Sequence, residues 1–262
     1  MIKFVILSFP RTGSNLLAAA LRDHPAVKIF GELMNRNSSE AVGELAATWP
    51  DCRYRHGGQA GEMLAEWLFN PARHAAHVRA AGFKLFYDQA REDGAAFSVW
   101  TALLDDPTVH VLHVIRQNLL QVLVSLRTAL ATDVWAVVRE PDGGYTAYGN
   151  QGPRQHRVAQ PPVRLRIVPE EAEGFFKSVI AEREWVRRAF QDHPYLAVHY
   201  VPLTQEFPDT TTNVFRFLRL PDHRVSPGLV RQSRATPREQ IENYEELRTY
   251  FRRTIFAEYF VW

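Results

Sequence analysis

Apolar runs and helical periodicities alternate along this 262-residue chain. Short runs rich in β-branched and aromatic residues predict strands at 4–9, 27–30, 82–87, 109–115 and 195–201. Between these runs, apolar residues recur at steps of three and four and predict helices at 15–22, 61–69, 95–104, 119–130, 169–191, 211–220 and 241–251. Strands that alternate with helices favour a parallel sheet with both faces covered. We therefore predict an α/β fold of three layers, αβα, around a central and mainly parallel sheet.

Two segments interrupt this alternation. Residues 133–168 are rich in glycine, proline and arginine, and they are too long for an ordinary connection. They predict a lid or a mobile loop over a site, and a solvated surface excursion is the alternative. Residues 221–238 form a second polar and basic stretch. Because the chain contains no repeat or boundary signal, we predict that residues 1–262 form a single domain.

Composition narrows the class of protein. The net charge of +2 gives no reason to expect nucleic acid as a partner. A single cysteine, Cys52, excludes an intrachain disulfide and fits a reducing compartment. The first apolar stretch is too short for a signal peptide, and no segment approaches the roughly 20 apolar residues of a membrane span. These features predict a cytoplasmic protein without an integral membrane segment, and no pattern indicates an oligomeric state.

The first strand leads directly into a loop that is suited to anions. Pro10-Arg11-Thr12-Gly13-Ser14-Asn15 separates the run at 4–9 from the helix at 15–22. The N–H groups at the start of a helix lack intrahelical partners, and the helix dipole favours negative charge there. The loop has one glycine and no lysine, so it is not a nucleotide-triphosphate loop. The alternative is a strand–turn–helix in which the glycine serves only the turn.

The run Pro-Arg-Thr-Gly-Ser-Asn-Leu-Leu resembles the 5′-phosphosulfate loop of sulfotransferases that use 3′-phosphoadenosine 5′-phosphosulfate (PAPS). It is most similar to the bacterial carbohydrate type, which includes the nodulation-factor and trehalose enzymes. The resemblance implies a P-loop-like fold and sulfuryl transfer to a hydroxyl of a carbohydrate, glycolipid or other small molecule. It also implies 3′,5′-ADP as product and no metal. The implied 5′-phosphosulfate ligands are Arg11, Thr12, Gly13, Ser14 and Asn15, with Arg11 also catalytic.

Two later segments fit the same resemblance. Arg116 follows the strand at 109–115, and Ser125 comes about two helical turns later. An arginine can bind a phosphate through two hydrogen bonds and a serine adds a third, so this pair is the predicted 3′-phosphate site. Arg231 and Gln232 lie in a segment that resembles the C-terminal cofactor loop of bacterial members. A surface arginine at a helix start and an ordinary basic loop are the respective alternatives.

Two further residues complete the predicted catalytic set. Glu32 follows the strand at 27–30 and is the candidate base, because carbohydrate sulfotransferases use a glutamate near this place. His24 and His113 are the alternative bases. The non-catalytic alternative for Glu32 is a loop carboxylate paired with Arg11 or Arg36. Lys84 lies within an otherwise apolar strand, which is rare unless the side chain reaches a cleft. The resemblance implies that it stabilises the bridging oxygen, while a snorkelling lysine on an edge strand is the alternative.

Other activities remain open on the sequence. A kinase-like phosphotransferase would use a similar loop, although the absent loop lysine and the lack of a convincing magnesium-binding aspartate disfavour it. A non-catalytic nucleotide-binding homologue would keep the fold without the activity. Under the favoured resemblance, the segment at 133–168 becomes an acceptor-binding insertion or lid.

Overall fold

The computed structural model describes residues 1–35, 40–50, 60–91, 99–150, 152–155, 163–226, 228–230 and 235–261. The chain forms two compact units. Unit 1 comprises Met1–Ile115 and Trp185–Ser226, and unit 2 comprises Arg116–Glu184 and Pro227–Trp262. The single-domain arrangement over 1–262 stays a prediction.

The described strands are β1 Ile2–Ser8, β2 Val27–Phe30, β3 Ala80–Phe86, β4 His110–Ile115, β5 Ala136–Arg139, β6 Tyr145–Gly149, β7 Gly152–Gln155 and β8 Tyr195–His199. The described α-helices are α1 Ser14–Asp23, α2 Glu40–Thr48, α3 Ala60–Met63, α4 Val99–Leu104, α5 Leu119–Thr132, α6 Pro169–Ala189, α7 Tyr200–Gln205, α8 Phe207–Phe217, α9 Pro237–Gln240 and α10 Tyr244–Phe251. A π-helical turn at Leu64–Leu68 continues α3, and 3-10 turns occupy Pro71–Arg73 and Ala257–Phe260.

Unit 1 is built on a five-stranded sheet in the order β2-β3-β1-β4-β8. Every neighbouring pair in this sheet is parallel. Parallel strands put all their carboxyl ends at one edge, where α/β proteins hold their ligands. The predicted α/β class with a central, mainly parallel sheet is confirmed.

Alternate residues of the central strand β1 supply the cores on the two faces of this sheet. Val5 and Leu7 pack with apolar residues of α2, α4 and the end of α6. Phe4 and Ile6 pack with apolar residues of α1, α7 and α8. All four side chains are fully buried. The sheet therefore has helices on both faces, which forms the three layers.

Unit 2 contains a second, smaller sheet. Strands β5, β6 and β7 pair antiparallel within the segment predicted as a lid or mobile loop. Gly149 allows β6 to approach Asp133, the C-cap of α5, since a Cβ at Gly149 would lie 2.0 Å from the Asp133 carbonyl oxygen. An aromatic cluster centred on Phe176 of α6 joins Phe251, Phe256 and Tyr259. The glycines and prolines at 133–168 thus serve hairpins in part of this segment, and residues 151 and 156–162 lie outside the described residues.

Several predicted boundaries shift for identifiable reasons. The strand predicted at 195–201 ends at His199, because Tyr200 begins α7. The helix predicted at 241–251 begins at Tyr244, since Ile241 is extended and pairs with Leu165 in a parallel bridge. The helix predicted at 95–104 is described from Val99 onward. Helix α2 was not predicted.

Candidate active site

The loop after β1 has an unusual backbone. Arg11 has φ +68° and Gly13 has φ +99°, so both lie in the left-handed region. A non-glycine residue held there costs on the order of 1–3 kcal/mol, and it persists only where its surroundings enforce it. Thr12 is fully buried, and its hydroxyl donates to the Phe9 carbonyl oxygen at 2.8 Å. The Thr12 hydroxyl therefore stabilises the strained loop.

Gly13 also begins the helix that follows. It is the N-cap of α1 and supplies no side-chain cap to the first-turn N–H groups. A Cβ at this position would lie 3.0 Å from the Tyr200 ring, so the loop packs closely on α7. Ser14 is buried in the first turn of α1. The result is a helix N-terminus without a side-chain cap at the carboxyl edge of the sheet.

Lys84 lies on β3, which is an internal strand, so the alternative of an edge-strand lysine is wrong. The residue is 4% exposed. Its ammonium donates to the Asn15 side-chain oxygen at the start of α1. It also forms an ion pair with Glu32 Oε1 at 2.8 Å. Lys84 therefore joins the ends of three elements: β3, α1 and the turn after β2.

The Glu32 carboxylate is held on both oxygens. Oε1 contacts Lys84, whereas Oε2 accepts from Asn35 Nδ2 at 2.9 Å and from Gln89 Nε2 at 3.2 Å. The Glu32 side chain is 21% exposed, while that of Lys84 is 5% exposed. A buried ion pair adds little net stability, because desolvation offsets the attraction. The pair is better explained as a device that orients the carboxylate and the ammonium.

The sequence pattern does not indicate the two amides that bind Glu32, which belong to Asn35 and Gln89. Each lies in a turn, where periodicity carries no signal. Their position offered a weak indication, since both follow strands at the carboxyl edge of a parallel sheet. Arg36, an alternative partner of Glu32, lies outside the described residues. The other alternative partner, Arg11, is half-buried.

Both histidines considered as bases are buried and have internal hydrogen-bond partners. His24 accepts from the Ala26 N–H at 3.1 Å and contacts the Pro221 carbonyl oxygen at 3.1 Å. His113 contacts the hydroxyls of Tyr87 and Tyr195 through its two ring nitrogens. Each ring thus uses both nitrogens within the protein. Glu32 differs from them in that its carboxylate is partly exposed.

The predicted 3′-phosphate residues lie in unit 2. Arg116 follows β4 and is 8% exposed. It donates to Gln121 Oε1 at 2.7 Å, and its carbonyl oxygen accepts from Arg183 at 2.7 Å. Ser125 is half-buried on α5. These contacts hold Arg116 at the start of α5. Arg231 and Gln232 lie outside the described residues.

The described residues contain neither a candidate membrane span nor a candidate metal site. None of their helices is long and apolar enough to span a membrane. Among these same residues, no group of three or more histidine, cysteine, aspartate or glutamate side chains is arranged to hold a metal ion.

Comparison with known proteins gives full-length matches. Nodulation protein H of Rhizobium tropici is 29% identical over 263 aligned residues, covering 98% of this chain and 92% of that protein. Nodulation protein H of Rhizobium meliloti strain 1021 is 26% identical, covering 98% of this chain and 94% of that protein. No family model matches. A solved sulfotransferase from Alicyclobacillus acidocaldarius matches with a TM-score of 0.50 and 13% identity, covering 98% of this chain and 91% of that one.

The chain is similar to nodulation protein H over nearly its whole length, and it has the sulfotransferase fold. The predicted sulfotransferase family is thereby confirmed, and with it the enzyme class. The matches cover nearly the whole chain, so the relationship is not confined to the loop at 10–17. For a sulfotransferase, the polar cluster at the carboxyl edge of β1, β2 and β3 is the candidate active site.

Proposed function

We propose that this sulfotransferase moves the sulfuryl group of PAPS to a hydroxyl of a carbohydrate or similar small molecule. The acceptor oxygen attacks sulfur, an O–S bond forms, and the bond from sulfur to the 5′-phosphate oxygen breaks. The acceptor proton goes to Glu32, and 3′,5′-ADP leaves with the electron pair of the broken bond. The observation that carries the proposal is the contact of Lys84 with both Glu32 and Asn15. It joins the proposed base to the proposed phosphate loop.

The residues of the first loop fit a 5′-phosphosulfate. The left-handed Gly13 carries no side chain, and the N–H groups of the first turn of α1 follow it directly. Thr12 uses its hydroxyl internally, so we assign it a ligand role through its N–H. The hydroxyl of Ser8, at the end of β1, is buried and has no hydrogen-bond partner among the described residues. A buried polar atom without a partner is consistent with a site that a polar ligand completes.

Lys84 and Arg11 supply the positive charge for the leaving group. An ammonium has three donors, and Lys84 uses two of them on Asn15 and Glu32. No described residue accepts the third donor, which we assign to the oxygen between phosphorus and sulfur as charge develops on it. Sulfuryl transfer resembles phosphoryl transfer, in which positioning and electrostatic stabilisation provide most of the catalysis. Arg11 is assigned the same role by resemblance alone.

Glu32 is the proposed base. Its carboxylate is partly exposed, so an acceptor hydroxyl can reach it, and three donors fix its orientation. General-base catalysis by a positioned carboxylate contributes about 10²- to 10⁴-fold. His24 and His113 are less suited to this role, because both are buried and engaged by internal partners.

The remaining assignments rest on resemblance. Arg116 and Ser125 are proposed to bind the 3′-phosphate, with Arg231 and Gln232 as further nucleotide ligands. A carbohydrate acceptor is supported by the likeness to bacterial carbohydrate sulfotransferases and by the relationship to nodulation protein H. We propose that the enzyme acts without a metal and without a nucleic-acid partner. We also propose that it is cytoplasmic.

Labelled PAPS tests the reaction directly. The protein is incubated with it and with a panel of mono- and disaccharides, including trehalose, and simple phenols. We expect a labelled sugar, and Glu32→Gln should lower its formation about 10²-fold or more. Glu66→Gln, the same change at an exposed position, is the control. Lack of transfer to every acceptor, or label transfer from ATP with magnesium instead, would overturn the proposal.

Calorimetry tests the nucleotide assignment separately. We expect 3′,5′-ADP to bind more tightly than 5′-AMP. Arg116→Ala should weaken 3′,5′-ADP by roughly tenfold or more and leave 5′-AMP nearly unchanged, since removing a charged hydrogen bond costs about 1.5–3 kcal/mol. Arg252→Ala, at an exposed position of the same unit, is the control. Equal weakening of both nucleotides would contradict the role of Arg116.

A further inference from the structure

We propose that Gln89 is a positioning residue that orients the Glu32 carboxylate for proton abstraction. The inference rests on the proposed function, because it assumes that Glu32 is the base. Gln89 lies in the turn after β3, and its Nε2 donates to Glu32 Oε2 at 3.2 Å. Its Oε1 accepts the Phe86 N–H at 3.1 Å. Since a backbone N–H can only donate, the amide oxygen faces Phe86 and the amide nitrogen faces the carboxylate.

The turn that carries Gln89 is itself rigidly held. The Gln89 carbonyl oxygen accepts from the Trp100 indole at 2.8 Å, and the Gln89 N–H donates to the Phe86 carbonyl oxygen at 3.1 Å. Arg91 Nε donates to the Tyr87 carbonyl oxygen at 2.6 Å. Every polar group of Gln89, in backbone and side chain, thus has a described partner.

Two further features indicate that this turn is enforced. The Arg91 guanidinium lies 4.7 Å from the Trp100 ring centroid and 3.9 Å from that of Trp185. Ala90 has φ +55°, a left-handed conformation that costs a non-glycine residue on the order of 1–3 kcal/mol. Strain of this kind gathers at sites where geometry matters for function. The packing around Arg91 therefore maintains a strained turn that presents the Gln89 amide to Glu32.

The Gln89 amide determines which acceptor position of the Glu32 carboxylate remains for the substrate. A carboxylate offers about four lone-pair sites, two on each oxygen. Asn35 and Gln89 occupy both sites of Oε2, whereas Oε1 accepts from Lys84 alone among the described residues. The remaining site is on Oε1, beside the ammonium. The acceptor hydroxyl is therefore directed to Oε1, and its proton moves to that oxygen.

Gln89→Glu separates positioning from a purely structural role. The new side chain can still accept the Phe86 N–H, but it places a second carboxylate against Glu32. We expect turnover to fall about tenfold or more, which corresponds to roughly 1.4 kcal/mol, with 3′,5′-ADP affinity unchanged. Gln205→Glu, the same change at an exposed position of unit 1, should have wild-type turnover. Wild-type turnover in Gln89→Glu would overturn the inference.

The same substitution in the Glu32→Gln variant completes a double-mutant cycle. Here Gln89→Glu should cause no further loss of turnover, because the group that Gln89 orients is no longer a base. An equal loss in both backgrounds would mean that Gln89 acts on the fold, and it would overturn the inference. Turnover is measured with the panel acceptor that the wild type uses fastest. If the wild type transfers to none of them, the proposed function fails.

Thermal unfolding gives a readout that does not need activity. Gln89→Glu should lower Tm by placing like charges together, and Glu32→Gln/Gln89→Glu should recover most of that loss by restoring a donor–acceptor pair. This measurement decides the contact even if the single variant folds poorly or if the protein transfers no sulfuryl group. Failure of the double variant to recover Tm would overturn the contact between Gln89 and Glu32.

Discussion

Lys84 and His113 are buried polar residues of the same sheet, with 4% and 1% exposure. Lys84 of β3 points to the face covered by α1, where it binds Asn15 and Glu32. His113 of β4 points to the opposite face, where its ring nitrogens contact the hydroxyls of Tyr87 and Tyr195. Both residues satisfy the rule that buried polar groups are hydrogen-bonded.

The two residues differ in what their contacts leave available. Both ring nitrogens of His113 have internal partners, and the two tyrosine rings pack edge-on against it at 5.7 Å. Contacts with the described residues leave one donor of the Lys84 ammonium and one acceptor position of the Glu32 carboxylate, and Glu32 is partly exposed. Burial of a polar residue therefore does not identify a functional site. The candidate site is distinguished by hydrogen-bonding capacity that remains beside the carboxyl edge of the sheet.

Lys84→Met tests the comparison most severely. The change removes the charge that we assign to the leaving oxygen, and it leaves the Glu32 carboxylate without its cation. We expect turnover to fall about 10²- to 10³-fold, the loss typical of removing one transition-state donor. The labelled-PAPS assay measures it. Lys28→Met, on the adjacent strand β2, is the matched control, and near-normal turnover in Lys84→Met would contradict the comparison.

Gly13→Ala tests the role of Lys84 indirectly, through the position of its partner Asn15. The new Cβ would lie 3.0 Å from the Tyr200 ring at a φ of +99°. The loop must then shift, which displaces Asn15 from Lys84. We expect a loss of roughly 1–3 kcal/mol in the free energy of unfolding and a large loss of 3′,5′-ADP affinity. Urea unfolding and calorimetry measure the two effects. Gly174→Ala, at a helical site open to a Cβ, is the control.

The sequence indicates the charged residues of this candidate site. It does not indicate the neutral residues that position them, because their role depends on long-range contacts. Lys84 was conspicuous because an apolar strand contained one charge, and the loop at Arg11 because a glycine and hydroxyls followed a strand. Gln89 was not conspicuous, since a polar residue in a turn is expected everywhere. Its role arises from long-range contacts with the turn after β2, which periodicity does not encode.

The same limit applies to the fold. Strands β1, β3 and β4 were evident because both their faces are buried, which produces continuous apolar runs. Strands β5, β6 and β7 are four or five residues long, and only Val137 and Ala147 among their residues are buried. Among glycines and prolines, such short strands resemble an irregular loop. The sequence therefore indicated the central sheet and missed the small antiparallel one.

Tyr195→Phe tests whether the contacts of His113 are purely structural. It removes one hydroxyl that contacts His113 and leaves a ring nitrogen without that partner in the interior. An unsatisfied buried polar group costs about 1–3 kcal/mol, so urea unfolding should show a loss of that order. Turnover of the folded protein should stay at the wild-type level. Tyr148→Phe, at an exposed site, is the control, and a fall in turnover without a fall in stability would give His113 a catalytic role.

His110 lies on the same strand as His113, and its protonation should change stability less than the substitutions above. Burial lowers the pKa of His110 from its ordinary value of 6.5, and Arg219 lowers it further, although a hydrogen bond with the Thr108 carbonyl opposes both. The unfolded chain therefore takes up this proton at a higher pH than the folded protein. As pH falls below 6.5, stability decreases until the folded residue is also protonated, with a slope of at most about 1.4 kcal/mol per pH unit.

His110→Asn removes this titration and keeps a donor for the Thr108 carbonyl oxygen. Urea unfolding of both proteins between pH 7 and pH 5 isolates the contribution of His110 as the difference between the two slopes, since single-site titration spans about two pH units. We expect the variant to lose less stability than the wild type as pH falls. His77→Asn, the same change at an exposed position, is the matched control. Identical slopes in all three proteins would show that burial in β4 does not by itself make a histidine oppose folding in acid.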